Sequence, residues 1–255
     1  DTVVVDGIAA GLDGVAQTRA DDIVGILNGV DTAIWNPATD PLIPARYSMQ
    51  NMGGKKLCRV ELLKRCGFET GFKGPIFGVV ARLASQKGID FIVANREFFL
   101  SHDVRLVLLG SGEKRLEDEV HELARAAPAK VFISARLDEA MSHVIEAGSD
   151  FFVMPSVFEP CGLNQMYSQV YGTVPIVSRV GGLADTVIDA DSDPHRGTGL
   201  MCEPDAPSLL DALCRGIALH ADAPRYAAVQ KRGMERDFSW KVAAAAYERL
   251  YQESM

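Results

Sequence analysis

The chain has 255 residues, of which 47% are apolar, and its 26 basic and 34 acidic side chains give a formal net charge of −8. This length and composition suit one or two globular domains. The acidic balance argues against duplex nucleic acid or an anionic membrane surface as a partner, because both favour basic patches. No apolar run approaches the roughly 20 residues of a membrane span, and no signal peptide is visible. Because the first residue is Asp1 rather than Met, we expect a fragment or a processed form.

The first fifty or so residues carry weak structural signals. Residues 22–27 are compatible with a strand that ends at a turn over residues 28–31. Residues 34–45 are rich in proline and polar side chains, which predicts an irregular loop. The regular alternation of strand and helix patterns starts only beyond this loop.

Five near-continuous apolar runs in the middle of the chain predict buried strands. They lie at residues 76–81, 104–109, 130–134, 150–154 and 174–178. Segments with helical character lie at residues 89–100, 116–127, 138–147, 165–171, 207–218, 224–234 and 240–251. This alternation predicts an α/β fold with a doubly wound, Rossmann-like parallel sheet that is covered on both faces. The last helices form a C-terminal helical tail.

The connection between the fourth strand and the next helix contains the sequence FEPCGL at residues 158–163. In open parallel sheets, ligands bind at the carboxyl ends of the strands, and a helix that begins there directs free N–H groups at an anion. Glu159 would repel phosphate but suits accepting hydrogen bonds from hydroxyls or stabilising positive charge. A nucleotide sugar carries both phosphate and hydroxyls. The alternative is an ordinary turn with a solvated glutamate.

Two cations follow the first predicted strand. Arg82 and Lys87 are therefore expected above the carboxyl edge of the sheet. They could stabilise the charge that builds on a diphosphate leaving group, although two solvated charges are the simpler interpretation. The sequence GSG at residues 110–112 resembles half of a dinucleotide fingerprint, but the third glycine is absent, so it is weak evidence for a nicotinamide cofactor.

The cysteines and histidines give no metal-binding pattern. None of the cysteines forms a C-x-x-C pair, and no Cys/His group has zinc spacing. An odd, scattered set predicts free thiols in a reducing compartment. His143 lies in a helical segment, where we expect it to be packed or to face solvent rather than to act in catalysis. The cysteines are Cys58, Cys66, Cys161, Cys202 and Cys214.

A series of motifs resembles the family of bacterial glycogen synthases and plant starch synthases. FEPCGLNQ at residues 158–165 is similar to the donor-site signature of that family, and ARLASQKG at residues 81–88 is similar to its donor-phosphate loop. The early Lys-x-Gly-Gly motif of its N-terminal domain is not found. Four further matches are GLDGV at residues 11–15, GILNGVD at residues 25–31, GGLADTV at residues 181–187 and DFSW at residues 237–240.

The resemblance implies the C-terminal, donor-binding half of a GT-B glycosyltransferase. Residues 1–22 would be the end of the missing N-terminal domain and a linker, residues 23–236 the nucleotide-sugar-binding domain, and residues 237–255 a C-terminal helix. Members of the family transfer glucose from ADP-glucose to the nonreducing end of an α-1,4-glucan, with retention and without a metal or other cofactor. The implied partners are ADP-glucose or ADP, the glucan and the N-terminal domain, in a bacterial cytoplasm or a plastid.

The same resemblance assigns the site residue by residue. Glu159, Arg82 and Lys87 are the implied catalytic set, in which Arg82 and Lys87 contact the donor phosphates and Glu159 contacts the donor sugar. The other implied donor-binding positions are Leu137, Cys161, Gly162, Leu163 and Asn164.

These further positions have different expected roles. Gly162, Leu163 and Asn164 offer backbone N–H groups to the distal phosphate, and Asn164 replaces a threonine that is common in the family. Leu137 replaces an aromatic residue beside the adenine, so it can pack against a base but cannot stack with it. Cys161 is a bystander thiol whose modification would block the site.

Two alternatives remain open from the sequence. One is another retaining GT-B transferase with a different nucleotide sugar or acceptor. The other is a binding module without catalysis that recognises nucleotide or glucan. In either case, we expect the isolated chain to have little synthase activity because half of the cleft is missing.

Overall fold

The computed structural model of this chain describes residues 13–136, 138–253 and 255. Its centre is one sheet of six parallel strands in the order β3-β2-β1-β4-β5-β6. The predicted doubly wound parallel sheet is therefore confirmed. The strands are β1 (Ile76–Val80), β2 (Arg105–Leu109), β3 (Val131–Ser134), β4 (Phe151–Met154), β5 (Val174–Ser178) and β6 (Leu200–Cys202).

Helices pack on both faces of the sheet and form the tail. The described residues contain α1 (Asp13–Thr18), α2 (Gly53–Arg65), α3 (Ile89–Ala94), α4 (Arg96–Ser101), α5 (Lys114–Ala126), α6 (Glu139–Gly148), α7 (Asn164–Val170), α8 (Gly181–Thr186), α9 (Ala206–Ala221), α10 (Ala223–Met234) and α11 (Trp240–Glu253). Two short 3₁₀ turns, Ala20–Asp22 and Ser85–Lys87, complete the regular elements. Among the described helices, none has the length and apolar content to cross a membrane.

The sheet is buried because successive side chains of each strand enter opposite cores. On β1, Phe77 and Val79 pack into the cluster that includes residues of α3, α5 and α9. Ile76, their neighbour, packs on the other face with residues of α2 and α6. Burial on both faces explains why the strands read as continuous apolar runs rather than as alternating patterns.

Two predictions about local structure are wrong. The strand expected at residues 22–27 does not form. Asp22 ends a 3₁₀ turn, and residues 23–29 have no regular structure and are largely exposed. The single helix expected at residues 89–100 is interrupted at Asn95, whose side-chain amide donates to Phe91 O at 3.0 Å and to Ala206 O at 2.7 Å.

The irregular segment at residues 31–52 is held by a buried polar cluster. The Trp35 ring stacks between His143 and Tyr167, with centroid distances of 3.8 and 3.9 Å. Asp40 Oδ2 lies 2.7 Å from His143 Nδ1 and accepts a hydrogen bond from Tyr171 Oη at 2.5 Å. The loop prediction for residues 34–45 agrees with this segment, and His143 is fully buried, so it does not face solvent.

Helix α2 was not predicted from the sequence, and it is tied to the fold by a buried lysine. Lys55 Nζ donates to Ala147 O at 3.0 Å, to Tyr171 O at 3.1 Å and to Thr173 Oγ1 at 2.6 Å. Burial lowers the pKa of Lys55 to about 8. These three bonds satisfy all the donors of the ammonium group, which an apolar site would otherwise penalise.

Candidate functional site

The strand order reverses between β1 and β4, and this reversal places the site. The two strands pair directly, with Phe77 opposite Phe151 and Gly78 opposite Phe152. In an open parallel sheet, the loops that leave adjacent strands at such a point diverge and form a crevice at the carboxyl edge. The loop after β1 carries Arg82, and the loop after β4 carries Glu159.

The loop after β1 is pressed against the loop after β4. Gly88 has φ +66°, and a Cβ at this position would lie 1.9 Å from Pro155 O. Val157 N donates to Gln86 O at 2.9 Å, and Gln86 Nε2 donates to Phe158 O at 3.1 Å. The two hydrogen bonds hold the loops together. The close approach at Gly88 requires glycine, because a larger residue would push the loops apart.

Lys87 and Glu159 meet across the crevice. Lys87 Nζ lies 2.5 Å from Glu159 Oε2, and Ser156 Oγ donates to the same oxygen at 3.3 Å. The Glu159 side chain is only 10% exposed, against 21% for Lys87. Glu159 is therefore a positioned carboxylate with one charged partner, and the simple interpretation as a solvated loop glutamate is not supported.

The backbone of the second loop is held by α8. Gly182 N donates to Glu159 O at 3.0 Å. Gly181 has φ +43°, and a Cβ there would lie 2.0 Å from Glu159 O. The two glycines of the GGLADTV motif thus allow α8 to approach the backbone of Glu159 closely.

The start of α7 brings backbone and amide groups to the same place. Gly162 has φ +70°, which an L-residue rarely adopts. Asn164 Nδ2 donates to Val80 O at 2.9 Å and so ties the start of α7 to the end of β1. Gln165 Nε2 donates to Cys161 O at 3.0 Å and to Gly162 O at 3.2 Å. The FEPCGL loop is therefore held by its own helix.

A cavity of about 230 Å³ lies between these loops. Six of the eight predicted site residues line it, namely Arg82, Lys87, Glu159, Gly162, Leu163 and Asn164. Cys161 is not part of this lining and packs near Val30, Met166 and Phe238. Leu137 lies outside the described residues. The other lining residues are Val79, Val80, Ala81, Val153, Met154 and Ser156.

An adjoining cavity of about 250 Å³ shares Val80 and Asn164 with the first. Trp35 and Glu146 line it, and neither was a candidate from the sequence. Burial raises the pKa of Glu146 well above its ordinary value, although Ser168 Oγ donates to its Oε2 at 2.7 Å. No local motif marks these residues; Trp35 arrives from a distant loop, so only the fold brings it here. The other lining residues are Asp138, Glu139 and Ser142.

The chemistry available at the site follows from its charges. Arg82 is exposed, and among the described residues its guanidinium donates only to Gln86 Oε1, at 3.3 Å, so most of it is free to bind an anion. Lys87 adds a second cation, and Glu159 can accept from hydroxyls. Within the described part of the chain, no group of three or more His, Cys, Asp or Glu residues is arranged to hold a metal ion.

Comparison with known proteins gives matches over most of the chain. Residues 68–226 match the family model for glycosyl transferases group 1. A glycogen synthase of Opitutus terrae is 65% identical over 245 residues, which cover 96% of this chain and 51% of that protein. A glycogen synthase of Myxococcus xanthus is 48% identical over 244 residues, covering 95% and 50%. The chain thus spans about half the length of the curated relatives it matches, and it aligns with their C-terminal half.

Solved structures also match this chain over about half of their own length. The catalytic domain of starch synthase IV from Arabidopsis thaliana, bound to ADP and acarbose, has a TM-score of 0.92 and 33% identity, covering 99% of this chain and 53% of that one. A sucrose-phosphate synthase from Thermosynechococcus elongatus has a TM-score of 0.58 and 26% identity, covering 76% and 48%. The first of these matches extends the likeness to the helical tail.

Proposed function

Because the chain belongs to the group 1 glycosyl transferase family, we propose that it is the donor-binding half of a glycogen or starch synthase. The whole enzyme would transfer glucose from ADP-glucose to the nonreducing end of an α-1,4-glucan, with retention and without a metal. Three of the relatives support the choice of an α-glucan as acceptor and of ADP as the donor nucleotide. Two are glycogen synthases, and the third is a starch synthase with bound ADP and acarbose.

One observation carries this proposal. Arg82, Lys87 and Glu159 come from two separate loops and line a single cavity at the point where the strand order reverses. Two cations and one carboxylate suit a ligand that is anionic at one end and rich in hydroxyls at the other. A nucleoside diphosphate sugar has this character.

We assign the two cations to the diphosphate. As the glycosidic bond of the donor breaks, negative charge builds on the leaving group, and fixed cations stabilise it. Arg82 can bind two phosphate oxygens at once, whereas Lys87 acts as a point charge. In the structure Lys87 is paired with Glu159, so a bound diphosphate would draw the ammonium away from that carboxylate. Backbone N–H groups of Gly162, Leu163 and Asn164 would add donors to the distal phosphate.

Glu159 orients the donor sugar in this proposal. Its carboxylate is buried beside Lys87 and Ser156, and phosphate would be repelled from it. It can instead accept hydrogen bonds from sugar hydroxyls and stabilise positive charge on the sugar ring. Leu137 and Cys161 stay proposed donor-binding positions, the first beside the base and the second as a thiol whose modification blocks the site.

The domain boundaries also stay a proposal. Residues 1–22 would belong to the N-terminal domain and linker, residues 23–236 to the donor domain, and residues 237–255 to a C-terminal helix. In support, α11 buries only Ala243 among its described residues, while Trp240, Val242, Tyr247 and Tyr251 are exposed. This apolar surface suits the docking of the N-terminal half. Since the relatives named are bacterial apart from one plant enzyme, we place the protein in a bacterial cytoplasm.

Calorimetric titration of the 255-residue chain with ADP tests the proposal. Arg82→Ala and Lys87→Ala should each weaken ADP binding by roughly 1.5–3 kcal/mol, the range for hydrogen bonds to charged groups, or about 10- to 150-fold. Arg125→Ala is the matched control, since Arg125 on α5 is 72% exposed and, in the part of the chain that the structure describes, pairs only with Glu122. EDTA should leave the affinity unchanged.

The result would contradict the proposal if neither variant bound ADP differently from the Arg125→Ala control. Titration with UDP, ADP-glucose and UDP-glucose completes the experiment, because preference for a uridine nucleotide would favour another retaining transferase of the same fold. Binding of ADP-glucose more tightly than UDP-glucose supports the synthase.

A further inference from the structure

The adjoining cavity next to the candidate site contains a buried carboxyl group. The two cavities share Val80, at the end of β1, and Asn164, at the start of α7. The adjoining cavity is also lined by Glu146, a residue of α6 that is only 1% exposed. A ligand that extends from the candidate site past Asn164 therefore meets the carboxyl group of Glu146.

One oxygen of this carboxyl group has no polar partner among the described residues. Ser168 Oγ donates to Glu146 Oε2 at 2.7 Å, while no hydrogen bond reaches Oε1. The buried Lys55 does not supply one, because its three N–H groups already donate to other oxygens. Since a buried polar atom without a partner costs free energy, Oε1 is available to a ligand in the cavity.

The other acidic residues of the adjoining cavity are less suited to hold a ligand. Asp138 Oδ1 accepts the backbone N–H of Met141 at 2.9 Å and so caps α6. Asp138 and Glu139 are both exposed, so water competes for their oxygens. Among the described lining residues, Glu146 is therefore the one acidic side chain removed from water, where a hydrogen bond to a ligand is strongest.

Trp35 also lines this cavity, but it offers no open face to an aromatic ligand. Its ring is stacked between His143 and Tyr167, at centroid distances of 3.8 and 3.9 Å. Both faces of the indole are therefore covered, and only its edge is left for the cavity. Recognition beside Glu146 thus depends on hydrogen bonds rather than on stacking.

The class of ligand group that suits Glu146 follows from the proposed function, on which this inference rests. There, Arg82 and Lys87 hold the diphosphate, and Glu159 holds the glucose. A nucleoside diphosphate sugar carries its nucleoside on the other side of the diphosphate, so the volume past Asn164 receives the nucleoside.

Ribose is the part of the nucleoside that lies next to the diphosphate. Burial raises the pKa of Glu146 well above its ordinary value, so both the acid and the carboxylate must suit the ligand. A hydroxyl suits both forms, because it donates as well as accepts. The hydroxyls of ribose therefore fit this group better than phosphate does.

We propose that Glu146 recognises the donor nucleotide through a hydrogen bond between its carboxyl group and a ribose hydroxyl in the adjoining cavity. Because Ser168 holds Oε2, Oε1 is the atom that meets the ligand. A carboxyl group that is already fixed at one oxygen loses little conformational freedom on binding. The contact distinguishes a ribonucleotide from its deoxy analogues, whatever base the nucleotide carries.

Calorimetry on the 255-residue chain tests this proposal, with ADP, 2′-deoxy-ADP and 3′-deoxy-ADP as the probes. The wild-type chain should bind ADP about five- to tenfold more tightly than at least one deoxy analogue, which is the scale of one hydrogen bond. Glu146→Met has a side chain of similar length without an oxygen, and it should abolish this preference. Glu146→Gln keeps one oxygen and should retain most of it. Ser168 Oγ also lies 2.7 Å from Asn164 O, so Glu146→Met leaves no buried hydroxyl without an acceptor.

Glu122→Met on α5 is the matched control. The Glu122 side chain is 70% exposed and lines neither cavity, so its replacement should leave the preference for ADP unchanged. Arg82→Ala should weaken the binding of all three ligands alike, because they share the diphosphate. This contrast separates recognition of the ribose from recognition of the diphosphate.

A preference for ADP that is lost in Glu146→Met and kept in Glu122→Met supports the proposal. Equal affinity of the wild-type chain for all three ligands overturns it, and that measurement does not depend on the folding of any variant. A loss of affinity in Glu146→Met that is the same for all three ligands indicates a structural role only, and it also overturns the proposal. These two results leave the proposed function intact, whereas a wild-type chain that did not bind ADP would overturn both.

Discussion

Lys87 and Glu159 show how one ion pair can hold a site ready for its ligand. Their charges lie 2.5 Å apart with most of both side chains removed from water. Desolvation offsets much of the attraction in such pairs, so the pair is weak evidence for a contribution to stability. Its consequence is instead that each group is fixed in place, and a diphosphate bound as proposed would have to compete with Glu159 for the ammonium of Lys87.

This competition gives a prediction for Glu159→Gln in the full-length parent enzyme. The amide cannot pair with Lys87 as a carboxylate does, so the ammonium is freed for phosphate and ADP affinity should stay equal or rise a few-fold. Turnover should fall, because the negative charge beside the donor sugar is lost. Calorimetry with ADP and steady-state glucan elongation, on the same preparations, measure the two effects.

Glu159→Ala extends the comparison. We expect its turnover to fall by about two or more powers of ten, the scale for losing a positioned electrostatic group. If hydrogen bonds to sugar hydroxyls are the main role, Glu159→Gln should retain intermediate activity; if the charge is essential, it should match Glu159→Ala. Near-normal turnover in Glu159→Ala would contradict the role assigned to this residue.

The sequence predicts the charged residues of the candidate site better than it predicts the residues that line the adjoining cavity. Arg82, Lys87 and Glu159 follow strands that are recognisable from their apolar runs, so their place at one edge of the sheet could be predicted. Trp35 reaches the adjoining cavity from a loop without a motif, and Glu146 lies inside a helix whose pattern gives no sign of its neighbours. Contacts between residues so distant in sequence depend on tertiary packing.

At the scale of elements, close backbone approach positions the loops. Gly88 brings the loop after β1 against Pro155, and Gly181 brings α8 against Glu159. Both glycines adopt positive φ, which L-residues tolerate only with strain. The site therefore depends on two positions that contribute no side chain.

We predict that Gly181→Ala disrupts both stability and binding. A Cβ there would lie 2.0 Å from Glu159 O, so the FEPCGL loop must move. The free energy of unfolding should fall by more than about 2 kcal/mol, since overpacking at a buried site adds to the strain of positive φ. Urea unfolding measures the stability, and ADP titration of the folded variant measures the displacement of the loop.

Gly67→Ala is the matched control for this prediction. Gly67 has φ +71°, but a Cβ there meets no atom within 4 Å. Its substitution should cost about 1–2 kcal/mol from backbone strain alone and leave ADP affinity unchanged. If both variants lost equal stability and bound ADP equally well, close approach at Gly181 would not matter for the site.

The fold itself could be predicted where burial on two faces leaves a clear pattern. The strands β1 to β5 were recognised from apolar runs, whereas β6 has only three residues and pairs along one side. The break at Asn95 could not be predicted, because it depends on a hydrogen bond to Ala206, which is 111 residues away. Helix α2 was missed since its stability comes from packing on α6 and from the buried Lys55 rather than from a capping signal.

At the scale of the molecule, the exposed apolar side chains of α11 and the length of the relatives both support the proposed docking of an N-terminal half. The helix exposes much of Trp240, Val242, Tyr247 and Tyr251 to solvent. The chain covers 51% of the Opitutus terrae glycogen synthase and 53% of the starch synthase IV chain.

We therefore predict that the isolated chain binds ADP but elongates glucan little or not at all. Without the other half, the acceptor is not positioned and water is not excluded, and each of these contributes to lowering the barrier. Mixing the chain with the N-terminal half of the Opitutus terrae enzyme should raise transfer from ADP-glucose to glucan, as followed with radiolabelled donor. The same mixture made with the Glu159→Ala chain is the control, because it keeps the docking surface and loses the carboxylate. Robust elongation by the isolated chain, absent from the isolated Glu159→Ala chain, would show that this half carries the acceptor site as well.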